Sequence, residues 1–505
     1  MAGAKSQRRD AGCGPPLRIC FTAYRGNMHC GGQGIYLWYL ARELARLGHR
    51  IDVLVGPPYP DPMPFARSLT AVPNERFWGK WFLGERQRFI PQPRPLRIFE
   101  PLNFFELAAS YFGFLPEPLA FSLRAFREVA ARLRSGAEYD IVHDVQCLGY
   151  GMLGIRKLGI PVVTTVHHPL TVDRRASFER DETLEEAIGT MRFYPVAMQG
   201  FVARRLDGVF TSSTASADVI HRDFRVPIER LRMLANGVDT EQFRPASDAK
   251  RSTNEIVCVG RASDPNKGVE NLIAAFARLP EHLRLTLVDD DHPDSPARAL
   301  ARRLGCAGRL QITGRIDNAE LVRRYQCASL VVVPSRYEGF GLPAVEAMAC
   351  GTPVVACASG ALPEVIRATG GGVLVQQDSP AALAVAIADL MARPEIRSML
   401  GKRGCLRVGE IYAWPRVARA TAAAYAEVIE RFRAGRGRPA RMTTSDHPGS
   451  RRATASNPSS AHCATESGSR PSDRDQPGTP HASEIPSTTS SSSDAQACSR
   501  ISSIS

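Results

Sequence analysis

The chain has 505 residues, 44% of them apolar and 23% charged, with a formal net charge of +13. That length is more than one core serves, so two globular domains are expected. No apolar run reaches the ~18 residues of a membrane-spanning helix. Residues 1–16 carry Lys5, Arg8 and Arg9 without an apolar stretch, so they read as a flexible N-terminus and not as a secretory signal. The 12 cysteines form no CxxC pair and several sit in apolar runs, which points to reduced core residues in a cytoplasmic protein. No nucleic-acid motif accompanies the positive charge. An anionic membrane surface, on the inner face of the membrane, is the partner that charge suggests.

Leu17–Thr22 reads as a strand, followed by a loop ending in Gly31-Gly32. Ile35–Leu47 has apolar residues at helical spacing and is closed by Gly48, and Arg50–Val55 is the next strand. Strand, Gly loop, helix and strand in that order open a doubly wound α/β domain. From Pro57 to Arg134 the pattern is irregular and rich in aromatics. Residues 76–134 hold ten basic against five acidic side chains. Leu119, Leu123, Phe126, Val129, Ala130 and Leu133 mark one helix face, with Arg124, Arg127, Arg132 and Arg134 off it. That helix is either core-facing with a solvated basic side, or an interfacial surface that meets a lipid or lipid-linked acceptor. Tyr139–His143, Pro161–Val166 and Val209–Ser213 read as further strands. His167 and His168 follow the second of these, at the strand edge where open α/β sheets bind ligands. His143 lies at the end of the first.

Asn236-Gly237 is turn chemistry suited to a hinge. Beyond it, Ile256–Val259 ends at Gly260-Arg261, with Lys267-Gly268 at the start of a helix. A fork-shaped and a point cation at a strand end suit a diphosphate, although two surface cations give the same spacing. Leu283–Val288 leads into Asp289-Asp290-Asp291, a run that raises the question of a metal. Val331–Val333 is a buried strand followed by Glu338 in a Gly-bearing loop (Gly339, Phe340, Gly341, Leu342). Pro343 suits the first turn of a helix, Gly351 its end, and TPVVAC the next strand. The start of that helix favours an anion. Glu338 and Glu346, with seven residues between them, are either solvated charges or acceptors for vicinal hydroxyls of a sugar.

The run EGFGLPAVEAMACGTPVV resembles the signature of glycosyltransferase family 4, retaining nucleotide-sugar enzymes of GT-B fold. GGQGIYLWYLARELARLGHRIDVL, PVVTTVHH, NGVD with Phe243 and Pro245, and GR followed by KG resemble further segments of it. So do Ser213 with Ser216, GALPEVI, which holds Glu364, and DIVHD, whose His143 would stand at the cleft edge facing the acceptor. The resemblance spans Leu17 to Phe432 and is weakest between Pro57 and Arg134. It implies two Rossmann-like doubly wound domains facing a cleft, at 17–240 and 241–410. A helix over 411–433 would cross back to the first domain, and 434–505 would be a disordered tail of Ser, Thr, Pro and Gly. It further implies transfer of a hexose from a UDP- or GDP-linked donor to a lipid-linked or glycan hydroxyl, with no metal and no separate cofactor. Arg261 and Lys267 would stabilise the leaving diphosphate, with Glu338 on the hexose, Glu346 on the ribose and His167 on the donor. Gly31, Gly32, Gly339, Phe340, Gly341, Leu342 and Glu364 would line the donor site. A nucleotide-sugar 2-epimerase or a non-catalytic nucleotide-sugar-binding protein are the alternatives. The epimerase needs further acid/base groups beside the sugar, and the binder would lack part of the Glu and cation set.

Overall fold

The computed structural model describes residues 15–27, 32–74, 94–178, 181–246 and 251–436. The expectations on Gly31, on the aromatic run at 75–93 and on the Ser-rich stretch beyond 436 lie outside the described residues. Seven parallel strands form the first sheet, in the order β3-β2-β1-β4-β5-β6-β7. They are β1 (Arg18–Ala23), β2 (Arg50–Val55), β3 (Ser68–Ala71), β4 (Ile141–Val145), β5 (Val162–Val166), β6 (Gly208–Thr211) and β7 (Leu231–Met233). Six form the second, in the order β10-β9-β8-β11-β12-β13. These are β8 (Glu255–Val259), β9 (Arg284–Val288), β10 (Leu310–Ile312), β11 (Leu330–Val333), β12 (Val354–Cys357) and β13 (Gly372–Val375). Both are doubly wound Rossmann-like sheets, with the strand order reversing between β1 and β4 and between β8 and β11. The crevice at the carboxyl ends of the strands at such a point is where these sheets bind ligands.

Side chains alternate across a strand, and helices cover both faces of a parallel sheet, so both phases must be apolar. Ile19, Phe21 and Ala23 of β1 enter one core and Cys20 the other. Val331 and Val333 of β11 part in the same way from Leu330 and Val332. The eight cysteines among the described residues are all free, six of them buried.

The chain crosses between the sheets twice, side by side. Val238 N–H donates to the Tyr412 carbonyl at 2.8 Å, and Trp414 N–H to the Val238 carbonyl at 3.4 Å. The helix Trp414–Arg436 then lies on the first sheet. Its Trp414, Val417, Ala418, Tyr425 and Val428 share a core with Ile19, Phe21 and the helix Gly32–Arg46. Trp414 stacks on Tyr39 at 5.7 Å and 4°.

Two expectations are corrected here. His143 does not reach the cleft. It is fully buried, with Nδ1 2.5 Å from the Tyr425 hydroxyl and Nε2 2.7 Å from Thr165 Oγ1. Burial lowers its pKa to about 3, so it is a neutral core residue that ties β4 to the crossing helix. The helix Glu117–Arg134 is turned relative to the expected face. Phe121, Ala125 and Val129 are its buried row, while Leu119, Leu123 and Phe126 are half-buried. Arg124 is not solvated: it donates to both oxygens of Glu106 and to Asn103. Those partners sit on the helix Pro101–Tyr111, which buries Asn103, Glu106, Ala109 and Ser110. Phe104, Phe105, Tyr111 and the following Phe112 and Phe114 stay exposed.

Candidate active site

The loop after β11 brings Glu338 and Lys267 together. Lys267 Nζ donates to Glu338 Oε1 at 2.8 Å, and Ser335 Oγ donates to the same oxygen at 2.9 Å. Glu338 is nearly buried, while the Lys267 side chain stays 30% exposed. Burial opposes the Lys267 charge, but the adjacent carboxylate outweighs it and raises the pKa, so the ammonium persists at neutral pH. The backbone of Glu338 rests directly on Gly360. There φ is +52°, and a Cβ would lie 2.2 Å from the Glu338 carbonyl oxygen, so only glycine fits. Arg261, on the loop after β8, is close enough to Lys267 to act on its charge.

The Asp run after β9 does not converge. Asp289 accepts from the N–H groups of Ala262 and Asp290, both at 2.8 Å, and thereby fixes the loop that carries Arg261. Asp290 pairs with Arg315 and Asp291 with Arg298. Among the described residues no group of three or more His, Cys, Asp or Glu is placed to hold a metal.

The helix Leu342–Ala349 starts at Gly341 (φ +91°), which supplies no side-chain cap to the first-turn N–H groups. Glu346 lies one turn in. It is not the solvated charge that one reading allowed: Tyr325 donates to its Oε2 at 3.1 Å, and burial pushes its carboxyl up to about 7.

The first domain meets this loop directly. A Cβ at Gly339 would lie 2.4 Å from the His167 carbonyl oxygen, so glycine sets how closely the two sheets approach. Ser212 Oγ donates to the Gly339 carbonyl at 3.0 Å, and Ser216 Oγ lies 3.3 Å from the Tyr337 hydroxyl. The Leu342 side chain lies just 3.8 Å from where Gly32 would carry a Cβ. His167 packs edge-on to Tyr36 at 4.4 Å, and burial lowers its pKa to about 4. Both of its ring nitrogens are buried without a hydrogen-bond partner. Asn236 lies beside the ring and favours its protonation, though burial outweighs it. Glu364 reaches across the domain boundary. Its carboxylate accepts from the N–H groups of Thr214 at 2.9 Å and Ala215 at 3.0 Å, capping the helix Thr214–Phe224 across the domain boundary.

Sequence reasoning passed over two residues, Gln146 and Asp173, and gave His168 no role of its own. Gln146 Oε1 accepts from the N–H groups of His167 and His168, and its Nε2 donates to the His168 carbonyl, which fixes the His-His turn. His168 Nε2 lies 2.7 Å from Asp173 Oδ1, and its ring meets Tyr337 edge-on at 5.0 Å. Burial acts against its protonation, but Asp173 outweighs it and raises the pKa. The doubled histidine was the available signal. Gln146 and Asp173 carried none, because their partners are set by the turn geometry.

Models of two families match the chain: "Glycosyltransferase Family 4" over residues 30–242 and "Glycosyl transferases group 1" over residues 239–407. The "MMP alpha-(1->4)-mannosyltransferase" of Mycolicibacterium hassiacum is 38% identical, covering 83% of this chain and all of that one. A "D-inositol 3-phosphate glycosyltransferase" of Segniliparus rotundus is 28% identical over 80% of this chain and 86% of its own. Among solved structures, sucrose-phosphate synthase from Thermosynechococcus elongatus superposes with a TM-score of 0.60 at 24% identity, over 82% of this chain and all of that one. Anabaena HepE in complex with UDP and glucose gives 0.59 at 18%, over 81% and 100%. Two facing doubly wound sheets, a Lys–Glu pair in the cleft between them and a full-length relative at this identity lead to one conclusion: the chain is a glycosyltransferase of GT-B fold and belongs to glycosyltransferase family 4.

Proposed function

We propose that the chain moves a hexose from a nucleoside-diphosphate donor to an acceptor hydroxyl, with retention of anomeric configuration and without a metal. The observation that carries this reading is the Lys267–Glu338 pair, with Arg261 close by, beside the uncapped start of the helix Leu342–Ala349. As the bond from the anomeric carbon to the diphosphate oxygen breaks, negative charge grows on the leaving diphosphate. Arg261, Lys267 and the first-turn N–H groups stabilise it. The acceptor oxygen bonds to the same face of that carbon, and its proton passes to a diphosphate oxygen. Glu338 accepts from hexose hydroxyls. Tyr325 takes one oxygen of Glu346, which leaves Oε1 for a ribose hydroxyl. The unpartnered nitrogens of neutral His167 suit a donor hydroxyl.

The Mycolicibacterium relative is named as an alpha-(1->4)-mannosyltransferase, which makes mannose the first sugar to test and a glycan hydroxyl the first acceptor. The exposed aromatics between Phe104 and Phe114 support an acceptor-side surface for a lipid-linked or glycan acceptor, at an anionic membrane face. No helix among the described residues is long and apolar enough to cross a membrane. The test is a thermal-shift screen of UDP-, GDP- and ADP-hexoses, followed by NMR of the product's anomeric configuration. Stabilisation by none of them, or an inverted product, overturns the reading.

A further inference from the structure

The carboxyl ends of the first sheet's strands face the cleft, so the amino ends of β5, β6 and β7 lie at the opposite edge. Three helices end there: Gly151–Lys157, Val196–Ala203 and Thr214–Phe224. Arg156, Lys157, Arg204, Arg205, Arg225 and Arg230, with Leu153 and Pro227, line a cavity of about 600 Å³ at this edge, and no carboxylate is among its lining residues. Arg156 pairs with Asp207 at 3.0 Å. Arg204 Nη1 donates to the Phe224 carbonyl at 3.0 Å and Arg230 Nη1 to the Arg204 carbonyl at 2.8 Å. Those bonds hold two guanidinium groups in place and leave further N–H donors on each. The side chains of Lys157 and Arg225 are exposed and have no hydrogen-bond or ion-pair partner among the described residues.

Cations at helix C-termini need no ligand in themselves. Three helix ends, however, supply roughly −1.5 in charge and Asp207 one more, which leaves the six cations roughly +3.5 in excess. One phosphate would not neutralise that, and among the described residues no aromatic ring lines the cavity for stacking a nucleobase. We propose that this cavity is a second anion site, separate from the donor clamp, for a small molecule or lipid headgroup that bears two or more phosphate groups. Guanidinium forks fixed by backbone carbonyls are preorganised for phosphate oxygens.

The test uses the full chain, its Lys157→Glu/Arg225→Glu variant and Lys267→Ala. The double change alters two exposed side chains, and Lys157→Ser is a milder second variant. Titration calorimetry with tripolyphosphate is expected to show binding that survives Lys267→Ala. The double variant should weaken it by at least ~10-fold, the effect of losing one charge-assisted contact. Co-sedimentation with phosphatidylcholine vesicles, with and without a polyphosphoinositide, then identifies the source. Binding to tripolyphosphate alone supports a soluble ligand, and additional binding to polyphosphoinositide vesicles that the variant loses supports a headgroup. Binding of neither probe overturns the proposal. So does binding that both Lys157 variants leave unchanged.

Discussion

Lys267→Ala tests whether the clamp acts on the transition state. In the structure Lys267 Nζ is 2.8 Å from Glu338 Oε1 and stays partly exposed, so one ammonium can serve both that carboxylate and a diphosphate. If bond breaking adds about half a unit of charge to the diphosphate at roughly 3.5 Å, an effective dielectric near 20 gives ~2.4 kcal/mol. That is a kcat loss of roughly 60-fold, just below the ~100-fold at which the cost of removing one charge-stabilising donor usually begins. Because the charge grows only during reaction, kcat should fall more than donor KM rises. Lys267→Arg should recover part of the rate. Steady-state kinetics, with circular dichroism to check folding, decides it. A Lys267→Ala enzyme with near-normal kcat refutes the clamp account. A double cycle with Glu338→Gln should be clearly non-additive, since the two side chains share one contact.

Glu346→Gln should raise donor KM with little change in kcat, and it should also shift stability in a pH-dependent way. The carboxyl is raised from 4.5 to about 7 in the folded chain, so the folded state holds the extra proton and stability is lost as pH rises through that window. Chemical denaturation should show the variant level with wild type near pH 5 and more stable near pH 8, by at most ~3 kcal/mol. A difference that does not change with pH would remove the buried carboxylate from the account. Turnover in excess EDTA should match turnover in metal-containing buffer, and loss rescued by magnesium or manganese would contradict a clamp built from cations alone. Glu364→Ala should leave two helix N–H groups uncapped at the domain boundary. The expected cost is about 1 kcal/mol in stability, with a larger radius of gyration by small-angle scattering. An unchanged radius would show that the cap does not hold the domains together.

The sequence by itself determined the central strands of both sheets and set Arg261, Lys267 and Glu338 near strand ends, while the edge strands β3, β7 and β13 were not legible in it. Strands such as VVV at 331–333 and RIDVLV at 50–55 are apolar in both phases because helices cover both sides, and that demand is local. Arg261, Lys267, Glu338 and the Gly-bearing loop follow strand ends, so a strand–loop–helix reading suffices to place them at the crevice. The tertiary structure decided what each buried polar group meets. In the sequence His143 stands at a strand end like His167, yet β4 runs on to Val145 and Tyr425, 282 residues later, closes over the ring. Glu364 caps a helix of the other domain, and Tyr325 takes one oxygen of the half-buried Glu346. The six cations of the opposite edge are scattered from 156 to 230, and only the convergence of three helix ends gathers them. Charge and hydrogen-bond partners are properties of the assembled surface, and no periodicity within one segment encodes them.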